Sequence, residues 1–331
     1  MPGRTRRAAR LIAATALLAL VATACGGGTT ATDESPTPQP APAGSALSGS
    51  VRLDGSSTVG PLSEVAAELF MQANPDVRVT VGVAGTGGGF EKFCIGETDG
   101  NDASRPIKDS EVEACTANDI AFESIQVAND ALSIVVNNDF PVSCMTVDQV
   151  REVWTEGSTV TVWGDVTGLE VSGEDASAEV RLYGPGTDSG TFDFFTEAIN
   201  GESGLINTSY TDIGEDDTAA VAGVAGDKYA MAYIPFSYYQ EAIGQVKALE
   251  IDNGEGCVAA TADNVLAGTY TPLGRELYVY FSDVAIARAE VLAFAEFYID
   301  NAKQIAELAG FVPLTDEQIE AQRAKIASLA G

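Results

Sequence analysis

The chain is 331 residues long, contains no histidine, and carries 48 Asp and Glu against 18 Lys and Arg, a formal charge of −30. Without histidine there is no Ser-His-Asp or Cys-His nucleophile pair and no histidine-ligated zinc or haem; with this excess of acid there is no basic stripe for a nucleic-acid backbone. A hydrophobic content of 45% and 34 glycines describe a globular chain, long enough for roughly two domains and a sizeable core.

Residues 1–24 read as an export signal. Arg4, Arg6, Arg7 and Arg10 make a positive leader, and residues 11–22 are apolar but short for a membrane span. Ala22-Thr23-Ala24-Cys25 has the small residues before cysteine of a lipoprotein cleavage box, with alanine where leucine is commoner. Cleavage there removes four arginines and no acid, leaving −34, and makes Cys25 a lipidated N-terminus. The expected location is the outer face of the cytoplasmic membrane, held by lipid. The rest of residues 25–46 is rich in Gly, Thr and Pro without apolar periodicity, so a flexible tether is expected.

Strand and helix patterns then alternate. A short strand is expected at 50–53, a helix at 61–73 from Leu62, Val65, Ala66, Leu69 and Phe70, and a strand at 77–83. A helix opens at 89–94, and strands follow at 120–127 and 131–136. A helix at 147–154 starts behind Thr146 as N-cap. Then come a strand at 180–183, helices at 191–199 and 218–225, and strands at 229–234 and 276–281. Helices at 285–299 and 317–329 complete the pattern. This alternation predicts an α/β fold with a mixed, mostly parallel sheet in each domain.

Three glycine-rich turns each sit between a predicted strand and a predicted helix. They are Asp54-Gly55-Ser56-Ser57-Thr58-Val59-Gly60, Ala84-Gly85-Thr86-Gly87-Gly88-Gly89-Phe90, and Gly184-Pro185-Gly186-Thr187-Asp188-Ser189-Gly190-Thr191. Such turns offer hydroxyls and free first-turn N–H groups at the positive end of a helix, which is where an anion binds. One turn of this kind is usually only an N-cap; three of one design point to a shared ligand. The second has Phe90 where a dinucleotide fingerprint needs its last glycine, and the third lacks Gly-Lys-Ser/Thr, so a small anion is expected rather than a nucleotide. Gly-Thr-Asp-Ser-Gly lacks the spacing of a nucleophile elbow, which leaves a Ser189 hydrolase without support. In Asn101-Asp102-Ala103-Ser104-Arg105-Pro106-Ile107, Arg105 is expected in a short turn beside Pro106, where a guanidinium would suit a tetrahedral oxyanion. Lys92 and Lys108 read as helix-surface charges. Cys94, Cys115, Cys144 and Cys257 form an even set for an oxidising compartment, with three pairings possible. No C-x-x-C and no histidine accompany them, so neither a metal nor a cofactor is expected.

Gly-Ser-Ser-Thr-Val-x-Pro-Leu, Gly-Thr-Gly-Gly-Gly-Phe, Asp-Ala-Ser-Arg-Pro-Ile and Gly-Thr-Asp-Ser-Gly-Thr occur in order, followed by Pro272-Leu273-Gly274-Arg275-Glu276-Leu277-Tyr278. From about residue 49 to the C-terminus the chain resembles the phosphate-binding lipoproteins of the high-affinity phosphate ABC importer, the PstS family. The resemblance implies a monomeric, periplasmic-binding-protein-like (Venus flytrap) fold without enzymatic activity. Domain I would be 47–131 and 262–331, domain II 132–261, with inorganic phosphate clamped in the inter-domain cleft and delivered to a membrane permease. Ser57, Thr58, Thr86 and Arg105 would bind from domain I, and Ser189, Gly190 and Thr191 from domain II. Well-known members carry aspartate where Arg105 falls and arginine where Pro185 stands, so the cation has changed sides. Asp188 or Asp102 would orient Arg105 or accept the ligand proton, and the sequence does not choose between them. The same domain assignment implies pairing Cys94 with Cys115, a short loop, and Cys144 with Cys257. Sulfate, molybdate or phosphonate binding on the same architecture is the rival reading, and a phosphate-ester hydrolase a remoter one.

Overall fold

A computed structural model of the chain describes residues 47–187, 189–214 and 216–330. The export signal, Cys25 with its tether, and Asp188 lie outside the described residues. The chain opens with β1 (Gly49–Gly55), α1 (Gly60–Ala73), β2 (Val77–Val81), α2 (Gly85–Phe93), β3 (Gly100–Ala103) and α3 (Asp109–Ala117). β1 buries Val51 and Leu53 and exposes Arg52 between them, the period of a half-buried strand, and pairs in parallel with β2 and β3.

Next comes β4 (Phe122–Asn137), one strand of 16 residues where the sequence pattern predicts two. The polar residues that interrupt the pattern are accommodated. Asn129 exchanges backbone hydrogen bonds of 2.9 Å with Val312, and Asp130 pairs with Arg275. With the Asn129 backbone and the Asp130 carboxylate partnered, both residues stay buried and the strand runs on. Beyond it lie β5 (Cys144–Thr146), α4 (Val147–Trp154), α5 (Glu174–Ser177), β6 (Arg181–Gly184) and α6 (Gly190–Phe195), which continues as a π-helical segment (Thr196–Asn200). β7 (Thr211–Asp212), α7 (Asp217–Gly226), β8 (Ala230–Pro235), α8 (Phe236–Ala242), β9 (Val246–Ala248), β10 (Glu250–Asp252), β11 (Cys257–Val258) and α9 (Ala262–Leu266) follow. β12 (Gly274–Ser282), α10 (Asp283–Ile286), α11 (Ala289–Asp300), α12 (Ala302–Ala309) and α13 (Asp316–Ala330) complete the described chain.

The main sheet runs β2-β1-β3-β12-β4-β8-β6-β7, with β9 also on β4. β12 pairs with residues 122–131 of β4, while β8 and β9 pair with its remaining length. Two large apolar cores form on either side of that division. One gathers Val51, Leu53, Leu62, Phe70, Ile125, Val279 and Phe294. The other gathers Ile134, Trp154, Trp163, Phe195 and Tyr233, and also takes Val265, Tyr270 and Leu273. The fold is thus α/β, with mixed sheets and a lobe around each core. Each lobe holds one disulfide: Cys94–Cys115 joins the end of α2 to α3, and Cys144–Cys257 joins β5 to β11. Glu250 lies beside the latter pair, but both sulfurs are bonded to each other and offer a metal no thiolate.

β3 is a strand that the sequence pattern does not predict, and it ends just before the bend at Ser104 and Arg105. Gly-Asn-Asp-Ala has poor strand propensity, yet all four residues are buried between β1 and β12. Pairing on both sides outweighs the local preference.

Candidate functional site

Two of the three turns are locked to each other by close backbone packing. Gly55 has φ +138°, and a Cβ there would lie 2.2 Å from the Asp102 carbonyl oxygen. A Cβ on Gly89 would lie 2.6 Å from Gly55 Cα. Glycine alone lets α2, the first turn and β3 meet this closely. Asp54 joins the turns from below: its Oδ1 accepts from Gly55 N at 2.8 Å and Ala84 N at 2.9 Å, and Lys92 pairs with the same carboxylate. Lys92 is therefore a structural cation and not a bare surface charge. Ser56 N donates to Asp102 O at 2.9 Å, and Ser104 N donates to Thr86 Oγ1 at 3.2 Å.

These bonds bring Ser57, Thr58, Thr86 and Arg105 to one cavity of about 250 Å³. Lys108 and Arg275 line it too, and Asp193, Phe194, Glu197 and Ser203 face them from the second lobe. The third turn reaches the cavity differently from the other two. Ser189 is buried and caps α6 by accepting from Thr191 N at 3.3 Å. Gly190 abuts Thr58: a Cβ there would stand 3.1 Å from Thr58 Oγ1, which itself lies 3.5 Å from Gly190 O. Ser189, Gly190 and Thr191 do not themselves line the cavity; Gly190 packs on Thr58, which does, and the next turn of the helix, with Asp193, Phe194 and Glu197, forms the facing wall.

Arg105 is held by Glu111, not by Asp102. Its Nη2 and Nη1 donate to the two carboxylate oxygens at 2.7 and 2.9 Å, and Lys108 N donates to Glu111 Oε2 at 2.8 Å. Partial burial raises the Glu111 pKa, but these donors outweigh it and hold the group below the usual carboxylate range. The bond to Glu111 in turn raises the Arg105 pKa. A planar guanidinium fixed at two atoms has its direction set before any ligand arrives. Glu111 sits on α3, an element with no strong periodicity, which is why its role was not visible in sequence.

Asp102 lies behind the first turn, fully buried on β3. Its Oδ1 accepts from Ser63 Oγ at 2.8 Å, and Ser63 Oγ is 3.2 Å from the Tyr298 hydroxyl. Burial pushes its pKa up to about 8, with a smaller upward push from Asp54 and Glu64, so the carboxyl is protonated near neutral pH.

Arg275 is the site residue that sequence reasoning gave no role. It stands at the head of β12, donates from Nη2 to Thr58 Oγ1 at 2.9 Å, and pairs with Asp130 at 3.1 Å. Its guanidinium carbon lies 3.5 Å from the centre of the Phe194 ring, a cation–π contact. Burial lowers the Arg275 pKa and raises that of Asp130, so the pair only partly offsets the desolvation of its members. Its sequence signal is the Pro-Leu-x-Arg-x-Leu-Tyr stretch; its place beside Thr58, 217 residues earlier, is a tertiary fact.

Three cations and several hydroxyls therefore face one small cavity in a chain of charge −30. The arrangement suits a small oxyanion held by short-range donors. A two-lobed α/β protein with such a cavity where its lobes meet has the build of a substrate-binding protein. The PBP superfamily domain matches residues 40–302. Protein SphX from Synechococcus elongatus is 43% identical over 270 residues, 80% of this chain and 77% of that protein. Phosphate-binding protein PstS from Staphylococcus saprophyticus is 33% identical over 287 residues, 86% of each chain. A crystal structure described as a possible phosphate binding protein from Planctomyces limnophilus matches with TM-score 0.81 at 35% identity, covering 86% of this chain and 100% of that one. The chain belongs to the PBP superfamily and, within it, to the family of the SphX and PstS proteins.

Proposed function

We propose that the protein binds inorganic phosphate in the 250 Å³ cavity and delivers it to the membrane permease of an ABC importer. The observation that carries this is Arg105, fixed at two atoms by Glu111 and facing the cavity together with Thr58, Thr86 and Arg275. The names of the SphX and PstS relatives support the choice of phosphate. Ser57, Thr58, Thr86, Arg105 and Arg275 bind from the first lobe, and Ser189, Gly190 and Thr191 from the second. Hydrogen phosphate carries a proton and sulfate does not, so a carboxylate acceptor rejects sulfate by leaving two acceptors face to face. Asp188 is our candidate for that acceptor, since Asp102 is bonded to Ser63.

Residues 47–131 and 262–331 form domain I and residues 132–261 domain II in this reading. The packing of Val265, Tyr270 and Leu273 in the second core supports moving the return crossing from 262 to Gly274. Phosphate draws the lobes together and shifts the population to the closed form that the permease recognises. The protein acts outside the cytoplasm as a monomer, anchored through Cys25, and breaks no bond. Among the described residues no helix is long and apolar enough to cross a membrane. Titration calorimetry with phosphate, sulfate and molybdate tests the reading. Saturable binding of phosphate with much weaker sulfate is expected; a preference for sulfate or molybdate would overturn it.

A further inference from the structure

A second cavity, of about 430 Å³, lies against the anion cavity and shares Ser104, Arg105, Phe194, Glu197 and Arg275 with it. Beyond the two guanidiniums its wall is largely carbon, from Ala198, Val265, Leu266, Pro272 and Tyr278. Glu197 and Glu276 are exposed and supply the carboxylates of this annex. Its size falls within the range of small-molecule sites, about 300–1,000 Å³.

An inorganic phosphate ion is polar on every face and gains nothing from a carbon wall. A ligand with a charged head and an apolar stem gains from both spaces. The guanidiniums mark where the head sits, and the annex starts at the same two residues. The two glutamates repel a second anionic group and favour a neutral or ammonium-bearing stem.

We propose that the site also takes small phosphate monoesters and phosphonates, with the organic substituent in the annex between Leu266 and Tyr278. This rests on the phosphate reading of the inner cavity. The shared chemistry is a PO3 head on a short stem, without a second acidic group.

Calorimetry of the full chain with inorganic phosphate, phenyl phosphate and phenylphosphonate tests it. Phenylphosphonate has no ester bond, so phosphate released by hydrolysis cannot imitate its binding. It is expected to bind saturably and to compete with phosphate. Leu266→Trp puts an indole into the annex from a position that is not itself a proposed phosphate donor. It is expected to weaken phenylphosphonate at least about tenfold, through lost apolar contact, and to leave phosphate within about twofold. Ala198→Leu, a smaller addition to the same wall, repeats the test if the indole lowers the melting temperature. Phosphate binding without competition from phenylphosphonate overturns the inference and leaves the phosphate reading intact. So does an equal loss of both ligands in Leu266→Trp. Binding of phenylphosphonate alone upholds the annex and removes inorganic phosphate as the ligand; binding of neither ends both.

Discussion

Arg275 Nη2 donates to Thr58 Oγ1 at 2.9 Å, joining the head of β12 to the turn before α1. The same guanidinium is covered by Phe194 of α6 and paired with Asp130 of β4. One side chain therefore touches both lobes and the cavity at once.

Removing that charge should have two separable effects. Arg275→Met keeps apolar bulk but leaves Asp130 buried without its partner, a loss of about 3–5 kcal/mol of stability. It also removes charged donors from the cavity and should weaken phosphate binding about ten- to a hundredfold. Adding Asp130→Asn should restore much of the melting temperature and none of the affinity. Recovery of affinity in the double variant would mean that Arg275 acts only as a structural ion pair.

Arg105 offers a finer test of geometry. Arg105→Ala should cost about a hundredfold in phosphate affinity, and Arg105→Lys nearly as much, because an ammonium cannot reproduce the two-point hold of a guanidinium. Glu111→Gln keeps the charge of Arg105 but loosens its direction, so a smaller, severalfold loss is expected. Calorimetry on the three variants checks the order. Unchanged affinity in Arg105→Ala would remove this residue from the site.

Asp102 predicts a particular pH dependence of stability. In the folded chain it holds its proton up to about pH 8, whereas an exposed aspartate releases it near 3.8. Below the lower value both states are protonated and the contribution is complete. Between the two the unfolded chain sheds a proton that the native chain keeps, so stability falls as pH rises, by up to about 1.4 kcal/mol per unit. Asp102→Asn removes that slope. The difference between wild-type and variant unfolding free energies, measured from pH 4 to 8, should change steadily; a flat difference would show that Asp102 is charged in the fold.

The overall charge bears on salt. At −30 the protein repels an anion at long range, while the cavity donors act at contact. Raising sodium chloride from 20 to 300 mM, roughly from a long to a short screening length, should leave phosphate affinity unchanged or slightly higher. A steep fall would place binding on an exposed cationic patch instead.

What could be read from the sequence was what local chemistry decides. The three turns lie between strand and helix because glycine, hydroxyl residues and apolar periodicity act over a few residues. Thr146 accepts from Gln149 N at 3.1 Å, as an N-cap threonine should. The disulfide pairing followed the family resemblance, not local chemistry. What stayed hidden was decided by distant partners. β3 is a strand only because β1 and β12 flank it, and Glu111 matters only because the Cys94–Cys115 region folds α3 against Arg105. The break expected between 127 and 131 disappears because Val312 pairs with the Asn129 backbone and Arg275 with the Asp130 carboxylate.

β4 has a further consequence for how the molecule comes apart. β12 holds its first half, and β8 and β9 hold the second. Melting either lobe alone would strip one end of a buried strand and leave its amides and carbonyls unpaired. Neither half can be lost cheaply while the other survives. Heat or denaturant should therefore dismantle residues 47–330 in a single cooperative transition, with no half-molten species in which one lobe stands by itself.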